Sequence, residues 1–84
     1  MDGITDRAGE KLKGALDGAK AAPGQCVRVE VTLSRGATLR TDDARPDDIA
    51  FEFEGRKVLV LDKRAAEMYA GRRLDYAEGK FCFV

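Results

Sequence analysis

Two cysteines, Cys26 and Cys82, are the only thiol ligands in this 84-residue sequence, which contains no histidine. Iron-sulfur clusters are normally held by four thiolates, a number that one chain cannot supply. A symmetric dimer supplies four, so stoichiometry admits a cluster or metal held by Cys26 and Cys82 across two chains. The simpler reading treats each cysteine as a small apolar residue whose packing needs no function. No resident cofactor is expected on that reading. The lack of histidine also removes the usual general base near neutral pH and the commonest nitrogen ligand for zinc or iron. No Gly-x-Ser-x-Gly elbow and no phosphate-cradling glycine loop is present. An enzyme is therefore not expected, and thiol redox chemistry would need a depressed thiol pKa that no neighbouring residue announces.

Other polar groupings have ordinary explanations. Asp42, Asp43, Asp47 and Asp48 could suggest a hard-cation site, but their spacing matches no calcium loop and Arg45 sits among them. Turn and capping roles are the expectation. Arg56, Lys57, Lys63, Arg64, Arg72 and Arg73 are spread over a turn and both ends of a short helix, with acidic residues between them, and read as a solvated surface. Tyr69 and Tyr76 lack the aromatic and basic interleaving of a single-strand binder. Glu52 and Glu54 fall on the wet side of an alternating strand.

The composition fits this picture. Acidic and basic residues balance at 15 each, which leaves no long-range field for a polyanion, and nucleic acid is not an expected partner. The first residues, Met1 to Asp6, carry no basic segment followed by an apolar run, and no stretch approaches the roughly 20 apolar residues that span a bilayer. A cytoplasmic protein without membrane contact is expected. The length suits one hydrophobic core, so residues 1–84 are read as a single domain.

The elements that must position these residues follow from periodicity. Thr5 or Asp6 can cap a first helix, whose Ala8, Leu12, Ala15, Leu16 and Ala19 lie on one face. Gly9, Gly14 and Gly18 weaken it, so it needs a sheet to dock on. Pro23-Gly24 ends it. Cys26 to Leu33 alternates strictly, with Val27, Val29, Val31 and Leu33 on one face and Arg28, Glu30 and Thr32 on the other. Parity puts Cys26 on the polar face. Ala37 to Thr41 reads as a short second strand, and Asp42 to Asp48 as a charged turn. Ile49 to Phe53 and the apolar run Val58 to Leu61 form a hairpin around Gly55-Arg56. Asp62 caps a short helix from Lys63 to Ala70 that Gly71 ends. Leu74 and Tyr76, the Glu78-Gly79 turn, and Phe81 and Phe83 make a closing hairpin, with Cys82 on the face opposite the phenylalanines. With no helical crossover between most strands, a largely antiparallel arrangement is expected.

Three stretches carry a family resemblance: Pro46-Asp47-Asp48-Ile49-Ala50-Phe51-Glu52, Gly55-Arg56-Lys57-Val58-Leu59-Val60 and Gly71-Arg72-Arg73-Leu74-Asp75-Tyr76. With the opening Ile4-Thr5-Asp6-Arg7-Ala8, they resemble the HesB-like, A-type iron-sulfur carrier domain in order and spacing. The resemblance implies an α+β, β-rich fold, with two small mixed or antiparallel sheets packed with the N-terminal helix and one short second helix, in a domain that often self-associates. It also implies cluster ligands from one cysteine in a central glycine-rich loop and from a C-terminal Cys-x-Cys pair. The loop position falls in Leu33-Ser34-Arg35-Gly36-Ala37, which has no thiol, and the Cys-x-Cys tail would begin after Val84. Carried over residue by residue, the family's ligands map to none here. The expectation is a divergent HesB-like domain acting as a non-catalytic binding or interaction module, with a homodimer or another protein as its partner. The alternative is an iron-sulfur or iron carrier using Cys26 and Cys82 across a homodimer.

Overall fold

The computed structural model describes residues 1–32, 34 and 36–84. The chain opens with a two-residue strand, β1 (Gly3–Ile4), and then helix α1 (Asp6–Gly18). Thr5 is the N-cap, and its hydroxyl accepts from the Ala8 amide, satisfying one of the helix's orphan donors. Ala8, Leu12 and Leu16 form the fully buried stripe, resting on strands of both sheets. Gly9 lies on that same buried side: a Cβ there would come within 2.2 Å of the Phe53 ring. The residue that weakens the helix locally thus permits the close approach of an aromatic side chain.

Four strands form one sheet in the order β3-β2-β5-β4: β2 (Gln25–Thr32), β3 (Gly36–Asp43), β4 (Ile49–Phe53) and β5 (Arg56–Leu61). Helix α2 (Lys63–Met68) follows, capped by Asp62, whose carboxylate accepts from the Ala65 amide at 2.8 Å. The strands β6 (Arg73–Ala77) and β7 (Lys80–Phe83) then join β1 in a second sheet, ordered β1-β6-β7. Two tight hairpins are closed by Glu54-Gly55 and Glu78-Gly79. All four of these residues have positive φ, as a two-residue type I′ turn demands.

Val27 and Val29 of β2 lie beside Leu59 and Leu61 of β5, and with Ala65, Ala66, Leu74 and the α1 stripe they form the core. Each buried Leu or Val contributes on the order of 1.5–3 kcal/mol by leaving water. The two helix caps, the existence of the two hairpins and the valine row agree with the sequence reading, but the first hairpin turns at Glu54-Gly55, one residue before the expected Gly55-Arg56, and β5 starts at Arg56.

The sheets are mixed, as the resemblance allows: β1 pairs with β6 and β2 with β5 in parallel, while the other three ladders are antiparallel. The parallel pairing of β2 with β5 uses β3 and β4 as its connection in place of a helix. Other features differ from the sequence reading. The strand β1 was not foreseen, because two residues carry no periodicity. Strand β3 runs on through Asp42 and Asp43, which pair with Cys26 and Gln25, so these aspartates belong to a ladder and not to a turn. Helix α2 ends at Met68, two residues before the expected end. The Leu33 end of the expected strand, and Arg35, lie outside the described residues.

Candidate functional site

The two thiols sit on different sheets, and both are free. Cys26 is on the face opposite the core valines, as parity requires, yet this face is covered there and the residue is 1% exposed. Its Sγ lies 3.5 Å from the Lys57 carbonyl and 3.9 Å from that of Gly24, weak sulfur contacts on both sides. Burial pushes its pKa up, against the smaller downward pull of Lys57, Arg56 and Arg28. The thiol is thus held protonated, the opposite of what a metal ligand or nucleophile needs. It floors a hollow of about 560 Å³ between Pro23-Gly24 and Arg56-Lys57. Cys82 is half-buried on β7, directly across from Asp75. Among the described residues no three Cys, His, Asp or Glu side chains converge as a cation site, so one chain offers no cluster cradle there. Ser34, in the central loop, is exposed.

What fills the supposed wet face of β2 is an ion-pair cluster that the sequence reading missed. Arg28 is only 4% exposed. Its guanidinium donates to both oxygens of Asp48, at 2.9 and 2.6 Å, to Asp42 at 2.8 Å and to the Asp43 carbonyl at 3.1 Å. A second oxygen contact ties Asp48 to its own turn, where it accepts from the Arg45 amide. The hydrogen bonds from Arg28 hold both carboxyls below the ordinary carboxylate range, and those carboxylates raise Arg28 in turn. The aspartates expected as turn and capping residues therefore form a clamp. A signal was present in an arginine placed between Val27 and Val29, followed by acidic residues that a strand and a turn could return to it.

Asp75 repeats the pattern on the other sheet. It accepts from the Thr5 hydroxyl at 2.6 Å, Arg7 at 2.7 Å and the Tyr76 amide at 2.8 Å, and the Thr5 contact leads in lowering its pKa. Among the described residues no buried side-chain nitrogen or oxygen lacks a partner, so neither cluster presents an unsatisfied group to a ligand.

Two open grooves lie among the described residues. One, of about 600 Å³, runs between the β2–β3 hairpin and α2, and Arg40, Arg45, Arg64, Met68 and Tyr69 line it. Met68 is 58% exposed. Arg40 pairs with Glu30, and Asp42 lies 3.4–3.5 Å from Arg40 and Arg45. The other groove lies between α1 and the β6–β7 hairpin, where Lys11 stands 5.0 Å above the Tyr76 ring and Tyr76 meets Phe81 edge-on. Of the basic residues read as solvated, Arg56 pairs with Asp17 at 2.9 Å and Arg64 faces the first groove.

No family model matches the sequence, and no curated protein matches it. Solved structures do. The crystal structure of Escherichia coli SufA, a protein involved in biosynthesis of iron-sulfur clusters, is 26% identical with a TM-score of 0.75, over 99% of this chain and 85% of that one. A solution structure of a protein from Aquifex aeolicus is also 26% identical, with a TM-score of 0.70, over 96% of this chain and 87% of that one. The crystal structure of IscA with its 2Fe-2S cluster, at 22% identity and a TM-score of 0.60 over 98% of this chain and 82% of that one, adds likeness of fold alone. With its α+β architecture of two mixed sheets, an N-terminal helix and a short second helix, this chain is a structural match to the A-type iron-sulfur carrier, HesB-like proteins over nearly its full length.

Proposed function

We propose that this domain is a non-catalytic binding module on the A-type carrier fold, working through its surface and not through a cluster held by Cys26 and Cys82. The observation that carries this reading is the state of Cys26, which is buried, in contact with backbone carbonyls, and held protonated. A thiol in that state suits packing better than ligation. The groove between the β2–β3 hairpin and α2, with exposed Met68 beside Arg64, suits contact with another protein, where Met and Arg are enriched. Anaerobic incubation with iron and sulfide tests the proposal. The chain should gain no more visible absorbance than a Cys26→Ser/Cys82→Ser variant. A coloured species that depends on the cysteines and elutes as a dimer would overturn it.

That second outcome is the other reading, an iron-sulfur or iron carrier bridged by Cys26 and Cys82 of two chains. The partial exposure of Cys82 on β7 favours it, and the burial of Cys26 counts against it.

A further inference from the structure

Strand β2 outruns one of its neighbours. It pairs with β3 along its whole length, from Gln25 opposite Asp43 to Thr32 opposite Gly36, but its parallel ladder with β5 stops at Val29 opposite Leu61, where the chain turns into α2. Beyond Val29, β2 therefore has β3 on one side and, among the described residues, no strand on the other. The Ala44 amide donates to the Gly24 carbonyl at 3.2 Å, in line with the β2–β3 ladder, and in an antiparallel pair such bonded positions recur every second residue. Cys26, Arg28 and Glu30 thus bond to β3. The amide and carbonyl of Val31 point the other way, into the groove against α2. No turn or loop bond among the described residues reaches them there.

The side chains of this groove are of two kinds. Val31, packed against the core, and Met68 and Tyr69 at the end of α2 are its apolar part, and the Tyr69 ring is held stacked on Phe83 with centroids 3.8 Å apart. Four arginines also line it, against two acidic residues, Glu30 and Asp62. The carboxylates nearby are already engaged: Asp48 and Asp42 by Arg28, Glu30 by Arg40, and Asp62 by the Ala65 amide. Arg64 has no carboxylate partner among the described residues. Arg45 has only Asp42, at 3.5 Å and shared with Arg28 and Arg40. Two cations are thus left over beside an apolar surface and an open strand edge.

We infer that this groove receives an extended acidic segment of a partner protein, in which apolar residues alternate with glutamate or aspartate. The inference rests on the reading of the domain as a binding module and names that module's ligand. A segment laid alongside Val31 continues the sheet where β5 leaves it, and it exchanges hydrogen bonds with the free amide and carbonyl. Alternate side chains of such a strand point to opposite faces. One set meets Val31, Met68 and Tyr69, while the other meets Arg45 on the face that carries Arg28 and Arg40, and a carboxylate at the rim reaches Arg64. A helix would leave the Val31 groups unmet, and a basic segment would set its cations against Arg45 and Arg64. The contact is short and both arginines are exposed, so the interaction is weak and sensitive to salt.

Calorimetric titration with short blocked peptides tests this: one alternating glutamate with valine, one alternating lysine with valine, and one of glutamate alone. The alternating acidic peptide should bind and the basic one should not. Arg45→Ala and Arg64→Ala should each weaken binding about two- to fivefold, and the double variant should lose more. Met68→Ala should weaken it as well. These three side chains are exposed, so the variants should keep the fold, which unchanged amide exchange in β5 would verify. In the wild type bound to the acidic peptide, the Val31 amide should exchange at least several-fold more slowly. Raising the ionic strength should weaken binding. Failure of the acidic peptide to bind at millimolar concentration would refute the inference, as would binding that survives the double arginine variant or leaves Val31 exchange unchanged. Equal binding of the all-glutamate peptide would also refute it, by showing an unspecific anion patch. Iron and sulfide are absent from these titrations. Loss of peptide binding therefore sinks this inference alone, whereas a cysteine-dependent coloured species would sink the cluster-free reading and leave the titration result standing.

Discussion

Arg28 sits in a strand whose neighbours on either side are core valines, and its guanidinium is occupied by two carboxylates and a carbonyl. Removing one partner of such a pair leaves a buried charge uncompensated. Arg28→Met should therefore lower stability by about 3–5 kcal/mol, measured by urea unfolding, mostly through the stranded Asp48. Acid provides an independent check. Asp42 and Asp48 have lowered pKa values in the folded state, so the native protein binds fewer protons than the unfolded chain. Their contribution is fully present above the unfolded carboxylate value, about 3.9, and is lost as pH falls through the folded values. In Arg28→Met the stranded Asp48 favours its protonated form, so the stability gap to the wild type should be widest near neutral pH and narrow in acid. A gap that does not change with pH would mean that the clamp acts through packing alone. Cys26 makes a contrasting prediction: in Cys82→Ser, labelling of Cys26 by a thiol reagent should track global unfolding, whereas the half-buried Cys82 in Cys26→Ser should react in the native protein.

The elements show why some of this was readable in the sequence and some was not. Caps, I′ turns and the valine row are signals carried by a few adjacent residues, and Thr5, Asp62, Glu54-Gly55 and Val27 to Val31 all sit where local chemistry puts them. The strand β1, the parallel ladders and the continuation of β3 through Asp42 depend on partners far along the chain, which periodicity cannot see. The candidate site divides in the same way. Parity assigned the face of Cys26 but could not tell that Arg28, Asp42 and Asp48 would form an ion-pair cluster on that face. Glycines in α1 make a direct test of local against tertiary control. Gly14→Ala meets nothing within 4 Å and should stabilise the protein by about 0.5–1 kcal/mol. Gly9→Ala should lose that gain and cost about 1–3 kcal/mol in thermal or urea unfolding, because the Phe53 ring must move.

At the scale of the whole molecule, the two sheets are joined mainly by α1, whose one buried stripe touches strands of both. The catalogue of polar clusters is consistent with a scaffold, since the charges that are buried are paired with one another. The strand β6 has a further role. Residue 3 lies beside Arg73 on one flank of β6 and Val84 bonds to Arg73 on the other, so both ends of this sequence meet at the same end of one strand. Two strand spacings of about 4.8 Å separate them. A load applied between residues 1 and 84 would not shear the second sheet along its strands. It would open the ladders one rung at a time, like a zip, which makes this the mechanically soft direction of the molecule. Conversely, a linker of a few residues could join these two positions and move the chain opening to the exposed Glu54-Gly55 turn without breaking a ladder.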